Sequence, residues 1–311
     1  MGNRGYLFLK RAIKLIAAPF FPVHSMRREY VKELIKKLLG KPNRFKAVHH
    51  LCKSLWQTYL FQVLAWVPMT FFYENKKKIK RLKGSHLGER CFFIGLGPSL
   101  KIEDLERLKG EVTFALNDIF ALYNQTDWRP ACYFFQESIT MSGDINQKVF
   151  EKKFGLLHSE MSFFPLNKHT NATRKIVPSA VFLPIVEDWV EYYLDEMKNF
   201  STNCAKIVNA AYLSMYSVLQ LAVYMGFKEV YLIGCDAKYT VSKPHCYDRS
   251  ESDDRYFRNE REAQASTLGI NRGFRGMRYA ADTYGIKIFN ATRGGYLEEF
   301  PRVDFDALDL K

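Results

Sequence analysis

From residue 88 onward, short apolar runs alternate with stretches in which apolar residues recur every three or four positions. A brief apolar run bounded by turn residues reads as a buried strand, and the wider spacing reads as a helix with one packed face. On that basis residues 91–94, 112–116, 131–135, 229–233 and 287–290 are expected as strands, with a Pro-punctuated extended stretch near 177–185. Helices are expected over 102–108, 204–225 and 265–284, the second stopped by Gly226. The alternation predicts an α/β fold: a Rossmann-like, mostly parallel sheet flanked by helices, with ligands in the crevice beyond the carboxyl ends of the strands. Polar residues gather at those ends, at Asn117-Asp118, Gln136-Glu137-Ser138 and Gly234-Cys235-Asp236.

The turn after the first strand adds candidate chemistry. Residues 92–100 read Phe-Phe-Ile-Gly-Leu-Gly-Pro-Ser-Leu. Gly95 and Gly97 allow a sharp turn and close approach to a ligand, Pro98 suits a helix start, and free amides there would favour an anion. The dinucleotide fingerprint needs a third glycine where Leu100 stands, so a plain strand-to-helix turn and a nucleotide loop of another type both fit.

Before residue 88 the pattern changes. Residues 1–90 carry 20 Lys and Arg against four acids, a net +16, whereas the rest of the 311 residues carries a net −3. The basic residues are interleaved with apolar runs such as Tyr6-Leu7-Phe8-Leu9 and residues 13–23. Basic amphipathic helices rich in Phe and Trp lie in the interface of anionic membranes. Nucleic acid is disfavoured because the apolar segments are too continuous for a solvated nucleic-acid face. Residues 55–73 approach spanning length and lack charge, yet Gln57, Thr58, Gln62, Pro68 and Thr70 make them an interfacial or buried segment. Tyr6 stands where a myristoylation signal needs Ser or Thr. The domain reading is therefore 1–87 as a basic membrane-associating region and 88–311 as the nucleotide-binding domain, with a lid over about 237–264. Six scattered cysteines with no Cys-x-x-Cys pair predict reduced thiols in a cytoplasmic protein, without a disulfide or structural zinc.

Four blocks carry a resemblance: Gly-Leu-Gly-Pro-Ser-Leu, Phe-Ala-Leu-Asn-Asp, Met-Gly-Phe-Lys-Glu-Val-Tyr-Leu-Ile-Gly-Cys-Asp, and the stretch from Tyr-Gly-Ile-Lys-Ile-Phe-Asn to Phe-Pro-Arg-Val. In order and spacing they resemble the domain-of-unknown-function 115 group, also called 6-hydroxymethylpterin diphosphokinase MptE-like, and the bacterial sialyltransferases of glycosyltransferase family 42. The resemblance covers about 88–308. It implies a cytidine monophosphate (CMP) donor site at Gly95, Gly97, Ser99 and Asn117, with Gln136 substituting for an Asn and Leu96 losing another. It places Ser214 at the start of the helix before the Gly-x-Asp strand, and Tyr239 and Tyr247 nearest to the tyrosines that stabilise the departing phosphate. The family's catalytic His aligns near Leu268, so His245 is the alternative base; its ordinary pKa near 6.5 suits proton abstraction at neutral pH. Asp236 could orient a ligand hydroxyl or cap its strand end.

These readings converge on a membrane-surface glycosyltransferase of bacterial envelope polysaccharide or lipopolysaccharide assembly, held on the inner face of the cytoplasmic membrane. Its partners would be a nucleotide-sugar donor, a glycan or lipid-linked acceptor and the anionic surface, with a homo-oligomer left open. An ATP-dependent pterin diphosphokinase is the alternative, and a non-catalytic assembly scaffold a more distant one. Asp253-Asp254 are merely adjacent rather than spaced as a metal-binding Asp-x-Asp, and no metal and no cofactor beyond the donor is expected. His49-His50, the lysines of 76–83 and the arginines at 272, 275 and 278 read as basic or solvated faces, and 249–261 as a charged loop.

Overall fold

The computed structural model describes residues 68–136, 154–167, 169–187, 200–243, 245–247, 257 and 259–311. Most of the basic region, His49-His50, Cys52 and most of the charged 249–261 loop lie outside these residues, as does the larger part of 55–73.

Seven strands form one parallel sheet: β1 (Arg90–Ile94), β2 (Thr113–Leu116), β3 (Cys132–Phe134), β4 (Met161–Pro165), β5 (Val181–Leu183), β8 (Glu229–Ile233) and β9 (Lys287–Asn290), in the order β5-β4-β3-β2-β1-β8-β9. A separate parallel pair joins β6 (Ile185–Glu187) to β7 (Val208–Ala210). The helices are α1 (Met69–Arg81), α2 (Ile102–Arg107), α3 (Thr170–Ile176), α4 (Ser214–Met225) and α5 (Glu260–Tyr284). None among the described residues is long and apolar enough to cross a membrane.

The unbroken apolar runs are explained by burial on both faces of the sheet. Alternate residues point to opposite sides. Phe93, Phe114, Phe134 and Phe163 pack with Val218, Leu219 and Ala222 of α4 and with Phe274 and Met277 of α5. Their neighbours Phe92, Ala115, Tyr133 and Phe164 pack on the other face with Leu105, Ile119 and Trp128. The sheet is thus a two-sided core from which only the strand ends reach solvent.

Two local readings change. Residues 204–225 were expected as one helix, but the helix starts at Ser214 and residues 208–210 form β7. The cause is buried Gln220: its Oε1 accepts from the Asn209 and Ser201 amides (3.0 Å each) and its Nε2 donates to the Asn209 carbonyl (2.7 Å), so the extended backbone is satisfied without a helix ladder. Gly226 does end α4, at φ 98°. Strand β4 and helix α3, neither expected, extend the sheet beyond β3. At the end of the basic region, α1 is fixed by buried Asn75, whose side chain donates to the Phe182 carbonyl (2.7 Å) and accepts from its amide (2.8 Å). Lys76, Lys77, Lys78 and Lys80 stay exposed.

At the amino ends of the central strands the chain is locked by charge. Arg90 opens β1 and donates to buried Glu111 through Nη2 (2.6 Å) and Nε (3.2 Å), while the Lys311 amide donates to the same carboxylate (2.9 Å). Elsewhere, Arg293 forks onto buried Asp104 of α2 (2.9 to 3.1 Å) and onto Asp306. Those hydrogen bonds hold the Arg293 guanidinium above its ordinary value, and with help from Arg107 they hold the Asp306 carboxyl at about 2.

Candidate functional site

The chain turns to β2 on one side of β1 while β8 lies on the other, so the crevice beyond β1 and β8 is the topological switch point. A cleft of about 380 Å³ opens there. Its lining comes from the ends of β1 (Gly95, Leu96, Gly97), β2 (Asn117, Asp118), β3 (Gln136) and β8 (Gly234 to Tyr239), from the start of α4, from α5, and from His245, Tyr247 and Phe257.

Backbone strain marks this cleft. Asn117 (φ 46°) and Ala237 (φ 57°) are the non-glycine residues with positive φ among those described, and both line it. Such conformations cost about 1–3 kcal/mol and persist only where the surroundings enforce them. Tyr133 donates its hydroxyl to the Asn117 carbonyl (2.7 Å), and Asn271 donates its amide to the Ala237 carbonyl (3.0 Å). The Asn117 Oδ1 is buried with no hydrogen-bond partner among the described residues. A buried acceptor left unmet normally costs about 1–3 kcal/mol, which a donor on a ligand would recover.

The glycine turn does something other than cradle an anion. The amides of Gly95 and Gly97 donate to the carbonyls of Ile233 (2.7 Å) and Gly234 (2.9 Å), extending the β1–β8 pairing past the sheet. Asp236 fills the turn: its Oδ2 accepts from the Ser99 hydroxyl (2.7 Å) and the Ser99 amide (3.3 Å). A Cβ at Gly97 would collide with that oxygen, and one at Gly95 with the Gly234 carbonyl. The glycines therefore admit the neighbouring strand end and its carboxylate. The expectation of free amides there is corrected: they are spent, and a carboxylate already occupies the place of an anion. Ser99 does not line the cleft; it holds Asp236.

The other sequence-derived residues meet around this floor. Ser214 is the first residue of α4 and lines the cleft at a helix end with no side-chain cap. Gln136 lines it too, but its amide donates to the Ala211 carbonyl (2.9 Å) and accepts from the Ser217 hydroxyl (2.5 Å), which fixes the wall before α4. The His245 ring stacks on Tyr247 (5.3 Å between centroids, 5° between planes) and meets Tyr239 edge-on at 5.9 Å. Between them the Cys246 amide donates to the Leu96 carbonyl (2.9 Å), so this loop hangs from the glycine turn. Leu268, near which the resemblance places a histidine, is exposed on α5 and outside the cleft lining.

Other lining residues had no motif to announce them. Tyr212 and Ser266 share a hydroxyl hydrogen bond (2.6 Å), made possible by Gly269, where a Cβ would stand 2.6 Å from the Tyr212 ring. Lys238 projects from the β8 end. Burial pushes the Cys235 thiol up and the Cys246 thiol to about 11, so neither is a thiolate nucleophile at neutral pH. Among the described residues no three His, Cys, Asp or Glu side chains come together as a metal site. The arginines at 272, 275 and 278 lie on the exposed side of α5, Arg278 paired with Asp282 (3.0 Å).

No protein-family model matches the chain, and no curated protein matches it. Among solved structures it is similar to the sialyltransferase CstII of Campylobacter jejuni in complex with cytidine-5′-monophosphate: 16% identity over 70% of this chain and 85% of that one, TM-score 0.43. It is similar to the α-2,3-sialyltransferase Cst-I of the same organism, with 14% identity over 72% and 83% of the two chains and TM-score 0.43. It is similar as well to the MAf glycosyltransferase of Magnetospirillum magneticum AMB-1, with 13% identity over 88% of this chain but 43% of that one, TM-score 0.46.

Proposed function

We propose that this chain is a glycosyltransferase that takes a nucleotide-linked sugar into the cleft beyond β1 and β8 and passes the sugar to a hydroxyl of a glycan or lipid-linked acceptor. One observation carries the reading: a single strained cleft brings an unmet amide oxygen and a carboxylate, suited to a nucleoside, together with an imidazole and two phenols, suited to group transfer. Asn117 accepts from the base or ribose and Asp236 from a ribose hydroxyl. The phosphate lies away from Asp236, toward the uncapped start of α4 and the phenols, where the helix dipole favours negative charge. The resemblance in sequence favours a CMP donor, with a nonulosonate as the sugar.

In the transfer, the bond between the anomeric carbon and the phosphate oxygen breaks, and its electron pair leaves with the nucleoside monophosphate. The acceptor oxygen bonds to the anomeric carbon, and its proton passes to the His245 imidazole. Tyr247 and Tyr239 donate hydrogen bonds to the leaving phosphate as its charge grows. The +16 amino-terminal imbalance supports work at an anionic membrane surface, where lipid-linked acceptors of envelope assembly are concentrated.

Thermal unfolding of the full chain with CMP and with ATP tests the reading, because a ligand that binds the folded state raises stability by mass action. Stabilisation by CMP with none by ATP is expected. Stabilisation by ATP alone would replace it with pyrophosphoryl transfer.

A further inference from the structure

The loop after β9 holds an aromatic ring in solvent on a fastened backbone. Tyr296 is 66% exposed, yet the backbone on both sides of it is fastened. Its own amide donates to the Asp236 carbonyl (2.8 Å), and next to it Leu297 is fully buried, its carbonyl accepting from Asn290 Nδ2 (2.7 Å). Arg302, paired with Glu298, donates to the carbonyls of Gly294 (2.7 Å) and Gly295 (3.2 Å). Gly294 and Gly295 both sit at positive φ, and a Cβ at Gly295 would stand 2.9 Å from the Asp236 Cα. The loop is thus built to set this ring against the strand end that floors the cleft.

Lys238, which lines that cleft, places its ammonium 4.5 Å from the Tyr296 ring centroid. Among the described residues the ammonium has no carboxylate partner. An exposed ring on a fastened backbone, with the Lys238 ammonium over one face and the cleft beside it, offers two contacts at once, the open face of the ring and the cation. The ring packs the C–H face of a sugar, and the ammonium takes an anionic substituent on it.

We infer that Lys238 and Tyr296 form the acceptor subsite and select an acidic saccharide, one whose sugar carries a carboxylate or a phosphate. This rests on the glycosyltransferase reading for the word acceptor; the binding itself does not.

Saturation-transfer NMR on the full chain tests it with three probes: lactose, lactose 6′-phosphate and lactose bearing a terminal glucuronic acid. The acidic probes should bind at least five-fold tighter than lactose, and the stronger of the two identifies the anion. Lys238→Gln should erase that preference while leaving lactose unchanged. Tyr296→Ala should weaken all three. CMP affinity should stay within two-fold in both variants, which also shows that they fold. Equal binding of the three probes, no binding of any at millimolar concentration, or a preference that survives Lys238→Gln would overturn the inference. Loss of CMP binding by the unaltered chain, with the acidic preference intact, would overturn the proposed donor and leave this subsite standing.

Discussion

The amino ends of the central strands and their carboxyl ends are two regions of one sheet with opposite local chemistry. At the amino ends, buried Glu111 is met by both arms of Arg90 and by a backbone amide, leaving no oxygen wanting a donor. At the carboxyl ends, Asn117 and Ala237 are bent into left-handed backbone and the Asn117 Oδ1 is left unmet. The first region stabilises the sheet; the second carries a cost that, on the proposed function, a bound nucleotide recovers.

If that contrast is right, substitutions at the two ends should separate stability from binding. The largest effect is expected for Arg90→Ala, which strands the Glu111 carboxylate in the interior and should cost about 3 kcal/mol by chemical denaturation. CMP affinity of the folded fraction should be unchanged; a loss of affinity would show that the two ends are not independent. Next, His245→Ala should lower turnover by about 10²-fold or more with donor affinity within a few-fold, because a general base acts on the acceptor proton. Full activity of that variant would move the base elsewhere. Tyr247→Phe should lower turnover less, with rescue by a donor that has a better leaving group.

Asn117→Gly sharpens the comparison most directly. Glycine accepts φ 46° without strain, so the variant should gain about 1 kcal/mol of stability while losing nucleotide affinity, measured by denaturation and calorimetry on the same sample. A variant that is both less stable and binds normally would refute the idea of reserved strain. The smallest effect concerns pH. The Asp306 carboxyl is held at about 2 by Arg293 and Arg107, below its unfolded value. Its contribution to stability is therefore full above about pH 4, the ordinary carboxylate range, and is lost as pH falls toward 2. Asp306→Asn should flatten that part of the stability profile, lowering stability slightly through the neutral range and converging with the unaltered chain near pH 2.

The parallel sheet was legible because β1, β2 and β8 are apolar runs buried on both faces and run into Gly or Asn, with β9 a shorter run ending in Asn290. Strand β4 was not, since Met161–Pro165 closes on a proline and follows a polar stretch. The apolar run 204–225 hid β7 because periodicity cannot tell a short buried strand from a buried helix turn; Gln220, distant by one helical layer, decided it. In the cleft, a motif could point to Gly97 but not to what approaches it. The neighbour is Asp236, 139 positions along the chain, brought there by the pairing of β1 with β8. Tyr212 and Ser266 had no motif, since their meeting depends on how α5 packs at Gly269.

The hydrogen bond from the Cys246 amide to the Leu96 carbonyl joins two parts of the cleft. It ties the backbone between His245 and Tyr247 to the turn between Gly95 and Gly97, so a shift of one bears on the other. Whatever settles the turn also settles the loop, and the effect is reciprocal: the free energy by which a nucleotide fixes one is the free energy by which it organises the other. On the proposed function, donor and acceptor should therefore strengthen each other's binding by the same factor, read as equal shifts in their two dissociation constants.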